Sequence, residues 1–168
     1  MSILNKKGFT LVELIIYISL ASLILLAITG FFQLHIASRV KNKTITEVEQ
    51  QGVQILNLIS QYVVNASAID SPATGVSSSN LSLQMPTVAS NPTIFSFSGG
   101  NLYITEGASS PVVLNSSSVE ITNINFTNLS KSNTPGIIRV EFTLDYVSNS
   151  SRPEFKWSKT FYTSVSLR

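Results

Sequence analysis

The sequence predicts an α+β protein in which one long N-terminal α-helix packs on an antiparallel β-sheet. An apolar tract runs from Phe9 to Leu34, a helical periodicity follows from Ile45, and alternating apolar and polar residues recur from 81 to 167. A helix before a series of alternating strands is typical of this class. We expect four segments: residues 1–8, a transmembrane helix at 9–34, an amphipathic helical half at 35–69 and a β-rich globular domain at 70–168.

The tract from Phe9 to Leu34 is long enough to span a lipid bilayer. Its 26 residues carry one formal charge, Glu13. At about 1.5 Å per residue, a helix of this length reaches roughly 39 Å and exceeds a hydrocarbon core of about 30 Å. A carboxylate costs about 2.5–3.5 kcal/mol at the bilayer centre and less near an interface, so Glu13 needs a partner. Cleavage after Gly8 would supply one, because the new amine of Phe9 would lie one helical turn away.

The start of the chain resembles the type III signal of type IV pilins and type II secretion pseudopilins, in the residues Lys6-Lys7-Gly8-Phe9-Thr10-Leu11-Val12-Glu13. The resemblance implies that residues 1–8 are a basic leader, with Lys6 and Lys7, that prepilin peptidase removes after Gly8. It also implies that Phe9 becomes the N-methylated terminus and that Glu13 recruits the subunit into a helical filament. An uncleaved signal anchor is the alternative; a secretory signal fits less well, because its apolar region is about 7–15 residues and precedes the cleavage site.

A helix with one apolar stripe follows the tract. Apolar or small residues recur at spacings of three and four, at Ile45, Val48, Gly52, Ile55, Ile59, Tyr62 and Ala66. Such a stripe packs either under a sheet of the same chain or against a helix of another subunit. The resemblance implies a pilin-like fold, in which the first half of the helix packs in the filament core and the second lies on the sheet. Gly30 interrupts the apolar tract and either loosens the helix or allows a close helix approach.

The rest of the chain reads as a β-meander. Asp70-Ser71-Pro72 ends the predicted helix, and a Gly/Ser/Thr-rich loop covers 73–80. Ser98-Gly99-Gly100-Asn101 predicts a tight hairpin. The expected strands are 81–85, 94–97, 102–105, 119–126, 138–146 and 155–167. The ending, 161–168, resembles the last strand of J-type and W-type minor subunits.

Charge and composition exclude several function classes. The net charge is +2, but without Lys6 and Lys7 the chain carries nine positive and nine negative side chains, so it does not predict a nucleic-acid surface. The absence of cysteine excludes a thiol nucleophile and a disulfide, with which many pilins close a C-terminal loop. Any such loop must be held by packing or pairing. Basic residues flank both ends of the apolar tract, Lys6 and Lys7 before it and Arg39, Lys41 and Lys43 after it, so their distribution does not set the orientation of the helix in the membrane. The orientation with the leader in the cytoplasm is therefore what the resemblance implies.

No catalytic, metal-binding or cofactor-binding constellation is present in the sequence. The single histidine, His35, stands where the apolar tract meets polar residues and is expected to be interfacial. Arg152, Lys156 and Lys159 alternate with Phe155 and Trp157, which indicates either a contact with DNA or an edge strand protected by lysines. The alternating edge strand is favoured, and nucleic-acid binding stays open.

We therefore expect a structural subunit without enzymatic activity, metal or cofactor: a type IV pilin-like chain, minor rather than major. The alternatives are a pseudopilin of a secretion or DNA-uptake filament and an uncleaved, membrane-anchored binding domain. The expected partners are prepilin peptidase, other pilin or pseudopilin subunits, an inner-membrane assembly platform and the lipid bilayer before assembly. The expected location is the cytoplasmic membrane as a single-pass protein, and then an extracellular or periplasmic filament.

Overall fold

The computed structural model of the chain describes residues 9–131 and 135–168. The chain divides into two compact units, Met1–Val40 and Lys41–Arg168. One helix, α1 (Leu11–Asn65), supplies the whole described helix of the first unit and the N-terminal element of the second. The α+β class is confirmed: α1 packs on antiparallel strands in the second unit.

The helix α1 ends at Asn65, four residues before the predicted boundary at 69. The prediction of helix as far as residue 69 is wrong because Ala68–Ser71 forms a strand, β1, antiparallel to a later strand. Pairing in this strand provides hydrogen-bond partners for the backbone N–H and C=O groups of a segment that Pro72 prevents from continuing as helix. Helical periodicity alone does not reveal this, since a four-residue segment is too short to distinguish the period of a strand from that of a helix.

Two antiparallel sheets form where the sequence indicated one. The strands are β1 (Ala68–Ser71), β2 (Ser77–Ser78), β3 (Leu81–Gln84), β4 (Thr93–Ser98), β5 (Asn101–Glu106), β6 (Val112–Val113), β7 (Val119–Asn128), β8 (Ile137–Tyr146) and β9 (Ser158–Ser166). The first sheet has the order β1-β3-β4-β5-β6, and the second has the order β2-β7-β8-β9. The strands β1, β2 and β6 were not predicted, whereas the other six were, with β9 beginning at Ser158 rather than at Phe155.

The apolar stripe of α1 packs on strands of the same chain. Its buried residues follow spacings of three and four, at Thr44, Val48, Gly52, Ile55, Ile59 and Val63. They share one core with both sheets, including the fully buried rings of Phe95, Phe126 and Phe142. Of the predicted stripe, Ile45 and Tyr62 are only half-buried, because the contact line passes through Thr44 and Val63 instead.

Two buried asparagines secure the connections that no disulfide closes. Asn115, before β7, accepts the N–H of Leu102 at 2.9 Å and donates to the carbonyl of Val119 at 3.0 Å. Asn128, at the end of β7, donates to the carbonyl of Pro72 at 2.8 Å. The C-terminal end of the chain is held by the N–H of Leu167, which donates to the carbonyl of Gly136 at 2.8 Å. Hydrogen bonds and packing therefore hold these connections in place without a disulfide.

Candidate functional site

The first turn of α1 begins with a side-chain cap. The N–H of Glu13 donates to Oγ1 of Thr10 at 3.3 Å, and the N–H of Leu14 donates to the carbonyl of Thr10 at 3.1 Å. A threonine at this position satisfies an N–H group that has no partner in the helix. The sequence interpretation overlooked this role of Thr10, although the spacing Thr-x-x-Glu is the pattern of a capping box.

An aromatic pair flanks Glu13. The ring of Phe9, before the helix, meets the ring of Tyr17 edge to face, with centroids 5.8 Å apart. Glu13 lies four residues from each, and it is half-buried whereas every other residue from 9 to 36 is exposed. Helical side chains lean toward the N-terminus, so Tyr17 covers the turn that holds Glu13. The sequence interpretation missed Tyr17, whose spacing of four from Glu13 and eight from Phe9 was the available signal.

Three hydroxyls of the apolar tract bond within their own helix. The hydroxyls of Ser19, Ser22 and Thr29 each donate to a backbone carbonyl three or four residues earlier, at 2.8–2.9 Å. These bonds satisfy the hydroxyls without a neighbouring helix. Among the described residues of the tract, Glu13 carries the one formal charge.

The remaining predicted site residues fall into two groups. Lys6, Lys7 and Gly8 lie outside the described residues, so their predicted roles stay predictions. Gly30 lies within continuous helix, and a Cβ added there would meet nothing within 4 Å. Packing inside this chain therefore does not require glycine at this position, and both interpretations of Gly30 stay open. His35 contacts Phe31 edge to face at 4.9 Å between ring centroids.

The solvent face of α1 in the second unit carries no charge over four turns. No charged residue occurs from Gln50 to Asn65. The exposed residues on this stretch are amides and valines, at Gln50, Val53, Gln54, Asn57, Gln61, Val64 and Asn65. A surface groove runs along this face. Its lining is uncharged from Gln50 to Gln61, and Glu49, which pairs with Lys159, lies at its N-terminal end. Exposed helix faces usually carry Lys and Glu, so an uncharged face is a candidate contact surface.

The basic and aromatic group near the C-terminus is largely paired. Arg152 bonds Glu154 at 2.5 Å, and Lys159 bonds Glu49 at 2.7 Å. The ammonium of Lys41 lies 4.8 Å from the ring centroid of Trp157. Two of the three predicted cations therefore already have a carboxylate partner, which weakens the interpretation as a nucleic-acid contact. Of these cations, Lys159 lies on the edge strand β9, whereas Arg152 and Lys156 precede it, so the edge-strand interpretation applies to Lys159.

Two further findings concern the described part of the chain. Within 9–131 and 135–168, no group of three or more His, Asp or Glu side chains lies close enough together to hold a metal ion. One described helix, α1, is long and apolar enough to cross a membrane by its length and composition.

The comparisons bear on the N-terminal segment. Residues 3–29 match the family model of the prokaryotic N-terminal methylation motif. The match includes the predicted leader lysines, Gly8, Phe9 and Glu13, and it ends one residue before Gly30. Neither a curated protein nor a solved structure matches the chain. Together with the long apolar helix, the match fits membrane anchoring. The chain therefore carries the prepilin signal, the N-terminal methylation motif of type IV pilins and pseudopilins.

Proposed function

We propose that this protein is a structural subunit of a type IV pilus-like filament, and that its activity is assembly rather than catalysis. The observation that carries the proposal is the match of residues 3–29 to the methylation motif. Within this segment, Glu13 is the one formal charge in the apolar tract from Phe9 to Leu34. A plain membrane anchor has no use for a carboxylate at this depth, because burying an unpaired charge in lipid is costly.

The proposed mechanism begins with cleavage. Prepilin peptidase removes residues 1–8 and exposes the amine of Phe9, which is then N-methylated. Glu13 pairs with an N-terminal amine, on its own chain or on a neighbour, and the apolar helix leaves lipid for a bundle of related helices. Apolar surface alone does not drive helices together in lipid, so polar pairing and close packing supply the specificity.

The uncharged face of α1 supports the same role. Its exposed amides and valines allow a neighbouring helix to pack along it without the desolvation of a charge. Amides on both helices can also bond to each other across such a contact. We propose that the partner is another pilin or pseudopilin subunit.

The specific machine is a finer proposal. The ending of the chain, 161–168, supports a minor subunit by its resemblance to J-type and W-type chains. A pseudopilin of a secretion or DNA-uptake filament is the second candidate, because its N-terminal motif is the same. Both assign the same chemistry to Gly8, Phe9 and Glu13, and both require the same peptidase and an assembly platform in the cytoplasmic membrane.

Substitution of Glu13 tests the assembly mechanism. In cells that carry the native filament machinery, Glu13→Gln and Glu13→Val should still be processed to a chain that begins at Phe9. Their share in the sheared filament fraction should fall about tenfold, as expected for loss of one bond between charged groups. Glu141→Gln, at an exposed carboxylate on β8, is the matched control and should assemble normally. Equal incorporation of Glu13→Gln and the native chain would contradict the pairing mechanism.

Substitution of Gly8 tests the processing step separately. Gly8→Phe places a large side chain at the residue before the proposed cut and should leave the leader attached. The intact mass of the membrane-bound chain measures this directly. A mature mass in the Gly8→Phe variant would place the cleavage elsewhere.

A further inference from the structure

The contact between Phe9 and Tyr17 bears on a residue to which neither the sequence analysis nor the proposed function gives a role, Tyr17. Phe9 lies before the first helical residue, Leu11, so its backbone does not have the helical conformation that would set the direction of its side chain. Its ring nevertheless lies edge to face against the ring of Tyr17, with centroids 5.8 Å apart. Tyr17 is two helical turns from Phe9, so the two rings meet over the intervening turn, which belongs to Glu13.

The burial of Glu13 agrees with this placement. It is the one half-buried residue from 9 to 36, and Phe9 and Tyr17, whose rings contact each other, are each four residues away from it in the sequence. The backbone of the same turn is fixed independently, because Oγ1 of Thr10 accepts the N–H of Glu13 at 3.3 Å. This first turn of the helix therefore has a capped backbone and a half-buried carboxylate, and an aromatic pair is formed by the residues four positions before and after that carboxylate.

We infer that Tyr17 is a positioning residue, whose ring holds Phe9 beside Glu13 so that the amine formed by cleavage stays within reach of that carboxylate. This inference rests on the proposed function, in which Glu13 pairs with an N-terminal amine. Without the ring contact, a terminal residue outside the helix rotates freely, and that freedom must be lost on pairing. With it, the mature terminus is ordered before it pairs.

The first test measures the pairing in the processed chain. Full-length protein is isolated from cells with active peptidase and placed in lipid bilayers, with nitrogen-15 in the Phe9 amine and carbon-13 in the Glu13 carboxyl group. Solid-state NMR should give a separation that corresponds to an N···O distance of about 4 Å or less, the limit of an ion pair. Tyr17→Leu should lengthen it, and Tyr17→Phe, which keeps the ring, should restore it.

The matched control is Phe32→Leu, which removes an exposed ring of the same apolar tract. It should leave the Phe9–Glu13 separation unchanged. An unchanged separation in Tyr17→Leu would overturn the positioning role, and so would the absence of a short separation in the native processed chain.

The second test asks whether Tyr17 acts through Glu13. Tyr17→Leu should lower filament incorporation between about twofold and tenfold, the range for loss of one aromatic pair, and Tyr17→Phe should recover it. In a Glu13→Gln background, Tyr17→Leu should cause no further loss, because the two residues act on one step. An independent, additive loss would overturn the inference while leaving the assembly role of Glu13 intact. Normal incorporation of Glu13→Gln alone would instead contradict the proposed pairing, and the inference with it.

Discussion

Gly52 is required by the close approach of α1 to the second sheet. A Cβ on this residue would lie 2.1 Å from Cζ of Phe161, far inside van der Waals contact. The Phe161 ring is itself fixed, since it stacks on Phe142 with centroids 5.5 Å apart. At Gly30 the space around the Cβ position is open, so a side chain fits within this chain at Gly30 but not at Gly52.

We expect Gly52→Ala to lower the free energy of unfolding by about 1–3 kcal/mol, the usual cost of overpacking a core. Gly30→Ala is the matched control, and it should cause no loss, because alanine favours helix by about 1 kcal/mol over glycine. Urea unfolding of the full chain in detergent, followed by near-UV circular dichroism, measures both. A Gly52→Ala variant as stable as the native protein would contradict the packing described here.

Tyr62 links α1 to the first sheet through a single bond. Its hydroxyl donates to Oε1 of Glu106, at the end of β5, at 2.7 Å. Its ring also meets Phe95 edge to face at 5.7 Å between centroids. The hydrogen bond to Glu106, then burial, then the negative charge of Glu106 raise the pKa of Tyr62, because all three favour the neutral phenol.

This raised pKa predicts a pH dependence of stability. The stabilisation is complete below about pH 10, where the phenol of the unfolded chain ionises, and it is lost as pH rises through the higher pKa of the folded state. We expect Tyr62→Phe to be less stable by about 1 kcal/mol at pH 8, the usual net value of one hydrogen bond. The difference from the native protein should shrink above pH 10. Tyr162→Phe, at an exposed ring on β9, is the control; a difference that is constant from pH 8 to 11 would contradict the assignment.

At the scale of the element, the helix was predictable and the sheet arrangement only in part. The apolar tract and the stripe of α1 are local patterns, and they fix the existence of the helix and its buried face. The long strands β7 and β8 alternate with period two and were found for the same reason. Two-residue strands such as β2 and β6 carry no detectable period, and they exist only through long-range pairing, as Ser77 with Thr127 and Val113 with Tyr103.

The uncharged face of α1 gives a prediction at the same scale. Val53 is about half exposed on this face, so Val53→Glu should change the free energy of unfolding by no more than about 0.5 kcal/mol. It should nevertheless lower filament incorporation, because a carboxylate must then be desolvated against a neighbouring helix. Val112→Glu, at an equally exposed valine of β6, is the matched control. Normal assembly of Val53→Glu, measured in sheared filaments, would exclude this face from the subunit contact.

At the scale of the whole molecule, the N-terminal motif and the β-rich unit are specified by different kinds of information. The motif is readable because it consists of residue identities within one short segment, residues 3–29. The split into two sheets depends on contacts between distant residues, such as Asn128 with Pro72, which no local pattern encodes. The ring contact between Phe9 and Tyr17 is only partly predictable from the sequence. The spacing of the two residues is visible there, but the conformation of Phe9, which lies before the helix, is not.

The most direct test of the central claim is the intact mass and N-terminal sequence of the protein from its native membrane or sheared-surface fraction. Processing at the methylation motif predicts a chain that begins at Phe9 and carries one added methyl group. That result would support filament assembly through Glu13 as the working mechanism. A chain that still begins at Met1, in cells whose peptidase is active, would contradict the account and leave a plain membrane anchor.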